Sequence, residues 1–307
     1  MFAANEALAR AGVTVLERGW LSANNIVVRG SGPTALIDSG YYIHAPQTVT
    51  LVEQALSGRS LDFLLNTHLH SDHCGGNALL QSHFTTCQTL IPPGMADAVA
   101  VWDEDALTYR PTGQVCPRFS FDGVLHPGES IRLGDHQWEI HGAKGHDPHS
   151  VVFFEPASRV LVSADAMWQN GFGVVFPELD GMEAFGEVGE TLDAIESLKP
   201  LVVVPGHGSV FEDVAPALAR ARSRLEMFAN SPEKHLRHAL KVLIKFRLME
   251  WQHIGRTALL AWAQQTPYLV RHMPEGQNNQ SLWLDEVLSQ LETSKALKLE
   301  GDRVLNA

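Results

Sequence analysis

The stretch of sequence that decides the fold is Thr67–Gly76, which reads THLHSDHCGG. It follows directly on Leu61–Asn66 (LDFLLN), an apolar run that is typical of a buried strand. Three histidines and an aspartate lie within six positions, and packing alone does not explain so many metal-capable side chains in one place. The pattern predicts a metal site at the end of a strand.

The spacing within this stretch predicts two metal positions. In an extended segment, side chains two residues apart point the same way, so His68 and His70 can approach one cation together. Asp72 and His73 lie on the turn beyond and face another direction, toward a second cation. The glycine pair at 75–76 allows the backbone to turn tightly into a following helix.

Two cations need more ligands than this stretch supplies, and three further candidates follow strand-like runs. His146 lies in AKGHDP, Asp165 follows the apolar run VLVSA, and His207 lies in VPGHG. Each is on a loop at the end of an apolar strand, where a rigid sheet can hold a side chain in place. We therefore expect these three residues to converge on Thr67–Gly76.

The composition limits the class of protein. Of the 307 residues, 45% are hydrophobic and 19% charged, which excludes a wholly disordered chain. No apolar run approaches the ~18 residues of a bilayer span, and Asn5 and Glu6 lie where a signal peptide would be apolar. Three cysteines without metal-type spacing favour a reducing compartment. We predict a cytoplasmic protein that does not associate with membranes.

The first 230 residues alternate short apolar runs with turn signals, which predicts strands with helices between them. One predicted series of strands comprises Val13–Leu16, Asn25–Val28, Ala35–Asp38 and Phe63–Asn66, with a helix over Pro46–Leu56. A second series comprises Ser130–Leu133, Trp138–His141, Val151–Phe154, Val160–Ser163 and Leu201–Val204. Two β-rich halves of this kind predict an α/β sandwich of two sheets flanked by helices.

The pattern becomes helical from Val214 onward. Predicted helices cover Val214–Phe228, Glu233–Glu250, Arg256–Thr266 and Leu282–Ser294. Ser231-Pro232 is the predicted domain boundary, because proline suits the first turn of a new helix. We expect a catalytic domain at residues 1–230 and a small C-terminal helical domain at residues 231–307. A predicted hairpin around Glu300–Asp302 makes the C-terminal domain resemble a winged-helix module.

These motifs, in this order, resemble those of the metallo-β-lactamase superfamily, particularly its dinuclear hydrolase branch, which includes glyoxalase II-like thioesterases. The resemblance covers roughly residues 12–212 and implies a four-layer αβ/βα sandwich. It also implies that Asp38, in IDSG, orients a ligand from behind. The metal ligands that it implies are His68, His70 and His146 on the first metal, Asp72, His73 and His207 on the second, and Asp165 as a bridge between the two.

The ligand set predicts hydrolytic chemistry. Neutral imidazoles and carboxylates favour two divalent cations, with zinc preferred and manganese or iron accepted by the same atoms. A pair of cations bridged by Asp165 would hold a hydroxide as nucleophile, and Asp72 is a candidate for proton transfer. We expect a small-molecule acyl substrate, with a thioester favoured.

Other reactions of the same fold are the alternatives. One is a phosphodiesterase or ribonuclease, and another is a lactonase. Superfamily lactonases usually carry a tyrosine three residues after the bridging aspartate, where this chain has Trp168, which disfavours the lactonase. β-Lactam hydrolysis is less favoured still, since the fold does not fix the substrate. A non-hydrolytic role is a third alternative. The seven-residue ligand set disfavours a non-catalytic scaffold, but it is compatible with oxygen or redox chemistry at iron.

The charge distribution disfavours nucleic acid as a partner. The net charge is -12, and residues 231–307 contain ten basic and eight acidic residues, which leaves 13 basic and 27 acidic residues in the preceding part. An acidic body repels a polyanion. The predicted helix Leu282–Ser294 carries Asp285 and Glu286 and no basic residue, so we expect its domain to be structural, to shape the substrate site, or to form a homodimer contact.

Several residues near the predicted site have two interpretations. Met167–Phe176 is equally compatible with a mobile pocket wall and with ordinary loop packing. Trp102–Phe119 is expected to be a solvated loop, with a cover over the metals as the alternative. His149, three residues after His146, is the main alternative metal ligand. We prefer His146 because the family resemblance places the ligand directly after a glycine, and His149 is then a candidate proton donor. Cys74 is expected to be a small core side chain.

Overall fold

The computed structural model of the protein describes the backbone of residues 2–307 and the side chains of residues 4–307. Within it, two β-sheets face each other with helices on their outer surfaces, and a helical region with a third, small sheet follows. None of the described helices combines the length and the apolar character that crossing a bilayer requires.

The first sheet has six strands in sequential order. Strands β1 to β3 pair antiparallel, whereas β3 to β6 pair parallel. The strands are β1 (Val13–Leu16), β2 (Asn25–Val28), β3 (Ala35–Ile37), β4 (Phe63–Leu65), β5 (Gln88–Ile91) and β6 (Gly123–Val124). The helices of this half are α1 (Phe2–Arg10), α2 (Ala45–Leu56), α3 (Ser71–Cys74), α4 (Asn77–His83), α5 (Ala96–Val101) and α6 (Tyr109–Thr112), with a 3₁₀ helix at Tyr42–His44.

The second sheet has five strands, which again lie side by side in the order of the sequence. Neighbouring strands of this sheet pair antiparallel, except for the last two strands in the sequence, which pair parallel. The strands are β7 (Ser130–Leu133), β8 (His136–Gly142), β9 (Val151–Glu155), β10 (Val160–Ala164) and β11 (Val202–Pro205). Helices α7 (Phe176–Leu179), α8 (Phe185–Leu198) and α9 (Val214–Asn230) belong to this half.

The core between the sheets is continuous and apolar. Val28, Ile37 and Leu65 of the first sheet share one buried cluster with Trp138 and Phe153 of the second. Burial of each such side chain stabilises the fold by about 1.5–3 kcal/mol. Helices α2 and α4 cover the other face of the first sheet, while α8 and α9 cover the other face of the second. This confirms the predicted four-layer αβ/βα sandwich.

The sheets place several chain turns at one edge. Asp38 follows β3, Thr67–Gly76 follows β4, Asp165 follows β10, and His207 comes two residues after β11. Strands β3 and β4 are parallel neighbours, and so are β10 and β11. Because parallel neighbours end on the same side, the residues that follow them lie close together.

The C-terminal region contains four helices and a three-stranded sheet. The helices are α10 (Pro232–Trp251), α11 (Arg256–Ala263), α12 (Pro267–Val270) and α13 (Gln277–Thr293). The strands are β12 (His253–Gly255), β13 (Leu297–Glu300) and β14 (Arg303–Asn306), with β14 in the middle. Strands β13 and β14 are the predicted hairpin, and β12 is an additional strand. Val174 and Leu179 belong to the core of this region, so it packs directly on the sandwich.

The structure differs from the sequence prediction in the insert Trp102–Phe119. The expected solvated loop is wrong, because Tyr109, Cys116 and Phe119 are buried. The hydroxyl of Tyr109 donates a 3.0 Å hydrogen bond to the carbonyl of Leu69, next to the histidine cluster. Apolar anchors of this kind hold the insert against the sandwich, although Arg110 and Arg118 remain at the surface.

Candidate metal centre

The structure brings all seven predicted ligands together. In each of three groups, one donor atom per residue lies within 4.8 Å of the others. The groups are His68 with His70 and His146, Asp72 with His73 and His207, and His68 with His73 and Asp165. The first two groups coincide with the two ligand sets that the sequence implied, and Asp165 joins them.

Unusual backbone conformations bring these residues to one point. Asp38 and Ala164 have positive φ angles, 58° and 45°, which non-glycine residues seldom adopt. Ala164 directly precedes Asp165 and turns the chain out of β10. Gly206 must be a glycine, because a Cβ there would lie 2.2 Å from Oδ1 of Asp165. The unusual backbone conformations are therefore located at the turns that bring the cluster residues together.

The carboxylate of Asp38 supports the cluster from below. It accepts hydrogen bonds from the backbone N–H of Thr67 at 2.9 Å and from the hydroxyl of Thr67 at 2.7 Å. It also accepts one from Nδ1 of His73 at 2.8 Å. Asp38 is 1% exposed, so these bonds are well shielded from water. This is the ligand-orienting position that the sequence resemblance implied.

Hydrogen bonds at Nδ1 turn the other ring nitrogen of three histidines into the cluster. Nδ1 of His146 donates to the carbonyl of Val174 at 2.6 Å, and Nδ1 of His73 donates to Asp38. Nδ1 of His68 lies 3.1 Å from the hydroxyl of Thr67. A histidine fixed in this way presents a neutral Nε2 to a metal ion.

The spacing of the inward-facing atoms fits a pair of divalent cations. Nε2 of His68 and of His146 are 3.2 Å apart, and Nε2 of His73 is 3.4 Å from Oδ1 of Asp165. Two donors at 2.0–2.1 Å from one tetrahedral zinc ion would be about 3.3–3.4 Å apart. The buried Nε2 of His73 has no hydrogen-bond partner within the described part of the chain. A bound cation would satisfy these atoms.

Charges around the cluster favour cation binding. Burial, followed by the neighbouring histidines, lowers the pKa of His68 well below its usual value and lowers that of His70 to about 4. Burial opposes ionisation of Asp165, but His207 and His73 outweigh it and hold the pKa of that carboxyl well below its usual range. Burial likewise opposes protonation of His73, but Asp165, Asp38 and Asp72 raise its pKa. The negative field that holds this proton would equally attract a metal cation.

The cluster opens into a cavity of about 720 Å³. Trp168, Gly173 and Phe176 line it, which favours the pocket-wall interpretation of Met167–Phe176. Thr112 and Gln114 of the insert line another part, so the insert contributes to the wall as a packed element. The remainder comes mainly from α10 and the end of the C-terminal region, with Arg224 from α9.

The sequence did not predict the contacts of three residues that shape the site. The indole N–H of Trp168 donates a 3.1 Å hydrogen bond to Oδ1 of Asp165. Trp20 stacks on His207 with ring centroids 5.4 Å apart. The side chain of Asn24 donates to the carbonyls on both sides of His207, those of Pro205 and Gly208, at 2.9 and 2.8 Å.

Only Trp168 had a signal in the sequence, through its position three residues after Asp165. Trp20 and Asn24 come from a distant turn without a motif. His149 is placed away from the cavity, where its ring packs on the backbone of Gly94. Cys74 is buried as expected, and the described cysteines are free.

Comparison with known proteins identifies this arrangement. The family model described as the metallo-beta-lactamase superfamily matches residues 18–207. The chain belongs to the metallo-beta-lactamase superfamily. The hydroxyacylglutathione hydrolase GloC of Haemophilus influenzae is 26% identical over 188 residues, which cover 57% of this chain and 80% of that protein.

Two further comparisons show how far the likeness extends. The lactamase-like protein nscB of Aspergillus fumigatus is 26% identical over 230 residues, which span 74% of this chain and 58% of that protein. The crystal structure of a metallo-beta-lactamase family protein from Thermus thermophilus has a TM-score of 0.56 at 17% identity and covers 96% of this chain and 99% of its own. The latter shows the fold alone. Family membership and these relatives make the chain a hydrolase of this superfamily.

Proposed function

We propose that the protein is a dinuclear metal-dependent hydrolase of a small-molecule acyl substrate, with a thioester as the favoured bond. The observation that carries the proposal is the convergence of seven metal-capable side chains at the floor of one cavity. In the proposed centre, His68, His70 and His146 would hold one cation. Asp72, His73 and His207 would hold the second, and Asp165 would be shared between the two. The proposed cations are zinc.

A bound pair of divalent cations would supply Lewis acidity and lower the pKa of a water molecule so that it can attack an acyl carbon. The residues of the chain itself orient the predicted ligands, provide a proton acceptor and line the cavity. Asp38 and Val174 fix the rings of His73 and His146. Asp72 lies 3.1 Å from Nε2 of His207 and lines the cavity, where its carboxylate can accept a proton. Trp20 and Trp168, which contact each other edge to face, form an aromatic part of the cavity wall.

The choice of a thioester is supported by two observations. A similar protein from Haemophilus influenzae is named a hydroxyacylglutathione hydrolase. At the position where superfamily lactonases usually carry a tyrosine, this chain has Trp168, which has no hydroxyl and whose N–H is bonded to Asp165. We further propose that residues 1–230 form the catalytic domain and residues 231–307 a C-terminal domain that completes the cavity.

The test is a substrate screen on protein whose zinc content has been measured. Matched thioester, lactone, β-lactam and phosphodiester substrates would be compared at equal concentration, with zinc, manganese and iron loaded separately. We expect two zinc ions per chain and the highest kcat/KM for the thioester. A higher value for a phosphodiester, or activity that persists after complete removal of metal, would overturn the proposal.

The ligand assignment is tested by His68→Ala. This change removes a donor that belongs to two of the three groups, so we expect zinc content to fall and hydrolysis to decrease at least about a hundredfold. The matched control is His83→Ala, an exposed histidine on α4 that pairs with Glu53. Full zinc occupancy with unchanged hydrolysis in His68→Ala would refute the assignment.

A further inference from the structure

The cavity has a second chemical feature, a group of basic side chains on the wall formed by α9 and α10. Arg224 of α9 and His238 and Lys241 of α10 all line the cavity and are half-buried. Among the described residues that line it, the side-chain carboxylates are Asp72 and Asp165, which belong to the metal cluster. This wall therefore carries positive charge without a separate acidic partner.

The neighbouring arginines of α9 show the usual arrangement in this chain. Arg220 pairs with Asp213 at 2.8 Å. Arg222 pairs with two acids of α8, Asp193 and Glu196, at 2.7 Å each. These ion pairs are expected in a chain with 35 acidic and 23 basic residues.

Arg224 differs from Arg220 and Arg222 in its contacts. Within residues 4–307 it makes no ion pair, and its guanidinium packs on the backbone of Gly171 and lies 6.0 Å from the ring of Phe228. Lys241 also forms no ion pair with any described residue. Lys245, one turn further along α10, is already occupied, because its ammonium donates to Asn306 at 2.5 Å and to the carbonyl of Ala307 at 2.9 Å. Two cations on the cavity wall are thus available.

Burial makes the charge of Arg224 costly unless an anion meets it. Desolvation lowers the pKa of Arg224, and burial followed by the charges of Arg224, His235 and Lys241 lowers that of His238 to about 4. His238 is therefore neutral at pH 7, and the charge of this wall resides on Arg224 and Lys241. A cation removed from water is stabilised by charge-assisted hydrogen bonds to an anion.

We infer that Arg224 and Lys241 bind an anionic group of the substrate, a carboxylate or a phosphate, while the bond to be cleaved lies at the metal cluster. The inference rests on the proposed function for the position of that bond. It narrows the substrate class to acyl compounds that carry an anionic group remote from the scissile bond. Guanidinium and ammonium groups suit this task because both donate several hydrogen bonds to anion oxygens.

The test uses pairs of thioesters that differ only in charge. For phosphate, the pair is S-acetyl-4′-phosphopantetheine and S-acetylpantetheine; for carboxylate, it is S-acetyl-N-acetylcysteine and its amide. With zinc-loaded full-length protein, we expect the charged member of one pair to have a kcat/KM at least about tenfold higher, mainly through KM. The pair that shows the preference identifies the anion.

Variants assign this preference to the wall. Arg224→Gln and Lys241→Gln should each reduce the ratio of kcat/KM between charged and neutral members about tenfold, and Arg224→Lys should restore part of it. Arg222→Gln, on the same helix but paired toward α8, is the matched control and should keep the wild-type ratio. Equal kcat/KM for both members of both pairs in the wild type would overturn the inference and leave the proposed function intact.

A second readout separates the two proposals if no thioester is hydrolysed. That result would refute the thioester as substrate, and calorimetric binding of 4′-phosphopantetheine, pantetheine, N-acetylcysteine and its amide would then decide the inference. Binding of a charged thiol at least about tenfold tighter than its neutral partner, lost in Arg224→Gln, supports the anion site. Equal binding within both pairs, or charge-dependent binding that Arg224→Gln retains, rejects it.

Discussion

Asp38 shows how one residue outside the ligand set can control the metal centre. Its carboxylate accepts three hydrogen bonds from Thr67 and His73 while its own backbone has a φ of 58°. Asparagine tolerates this backbone conformation, so Asp38→Asn isolates the carboxylate chemistry. The amide would present donors to groups that already donate, and the ring of His73 would lose its orientation.

We predict that Asp38→Asn lowers the affinity for the second zinc about 10- to 100-fold, the usual effect of losing a partner that orients a ligand. Zinc titration against a competing chelator would measure it. Asp135→Asn, at an exposed carboxylate that accepts a bond from Ser31, is the control. An unchanged affinity in Asp38→Asn would show that the orientation of His73 does not depend on Asp38.

Trp168 provides a second test at the level of one residue. Trp168→Phe keeps an aromatic ring beside Trp20 and His207 but removes the N–H that donates to Asp165. Hydrogen bonds to charged groups contribute about 1.5–3 kcal/mol, so we expect zinc affinity to fall about tenfold or more. Trp283→Phe, on α13, is the matched control. Wild-type zinc binding in Trp168→Phe would mean that this bond does not position Asp165.

At the scale of elements, the strands and long helices could be predicted because their apolar runs are buried on one or both faces. Most predicted boundaries lie within two residues of those observed. Helix Arg256–Thr266 ends early, at Ala263, because Pro267 restricts the residue before it and begins α12. Helix α8 is a long helix that was not predicted, and helix α1 and strand β5 were not predicted either. The short patterns of α1 and β5 resemble loops.

The site was predictable to the extent that its residues lie in local motifs. The seven predicted ligands follow strand-like runs, so each could be recognised from its own segment. Trp20, Asn24 and Arg224 could not, because their roles arise only when distant segments meet. The insert Trp102–Phe119 was wrongly predicted to be a solvated loop for the same reason. Its buried side chains have partners about forty residues earlier in the chain, such as Leu69.

His235 links α10 to the loop that follows Asp165 and gives a pH prediction. Its Nε2 accepts a 3.1 Å hydrogen bond from the backbone N–H of Val175, and burial lowers its pKa to about 4. Because the folded state binds this proton less readily than the unfolded state, His235 makes the protein less stable as pH falls from about 6.5 to about 4.

We therefore expect the thermal unfolding midpoint to fall less steeply over this pH range in His235→Gln than in the wild type. Differential scanning calorimetry at intervals between pH 7 and 4 would measure both slopes, with His253→Gln, at an exposed histidine, as the control. Identical slopes in His235→Gln and the wild type would show that His235 does not couple protonation to folding.

At the scale of the whole molecule, a buried polar network joins the C-terminal region to the sandwich. Glu250 accepts hydrogen bonds from Tyr41 at 3.0 Å and Tyr42 at 3.2 Å, and it pairs with Arg247 at 2.7 Å. Arg247 also donates to the carbonyl of Gly113 in the insert. Three parts of the chain that surround the cavity therefore depend on one carboxylate.

We predict that Glu250→Gln destabilises the protein by about 3–5 kcal/mol, because it leaves Arg247 buried without its counter-charge. Urea unfolding at pH 7 would measure the change. Glu300→Gln removes an exposed pair with Lys298 and should change the free energy of unfolding far less than Glu250→Gln does. Equal effects of the two substitutions would show that the network does not hold the regions together.

The order of translation has a consequence for the cavity described above. All seven cluster residues precede position 208, whereas Leu291, Asn306 and Ala307 of its wall emerge later. At about 5–20 residues per second, the ribosome needs roughly 5–20 seconds to add the hundred or so residues between them. During that interval the cavity lacks the part of its wall that these residues form, so we expect the histidines to be more accessible to a metal ion than in the finished fold.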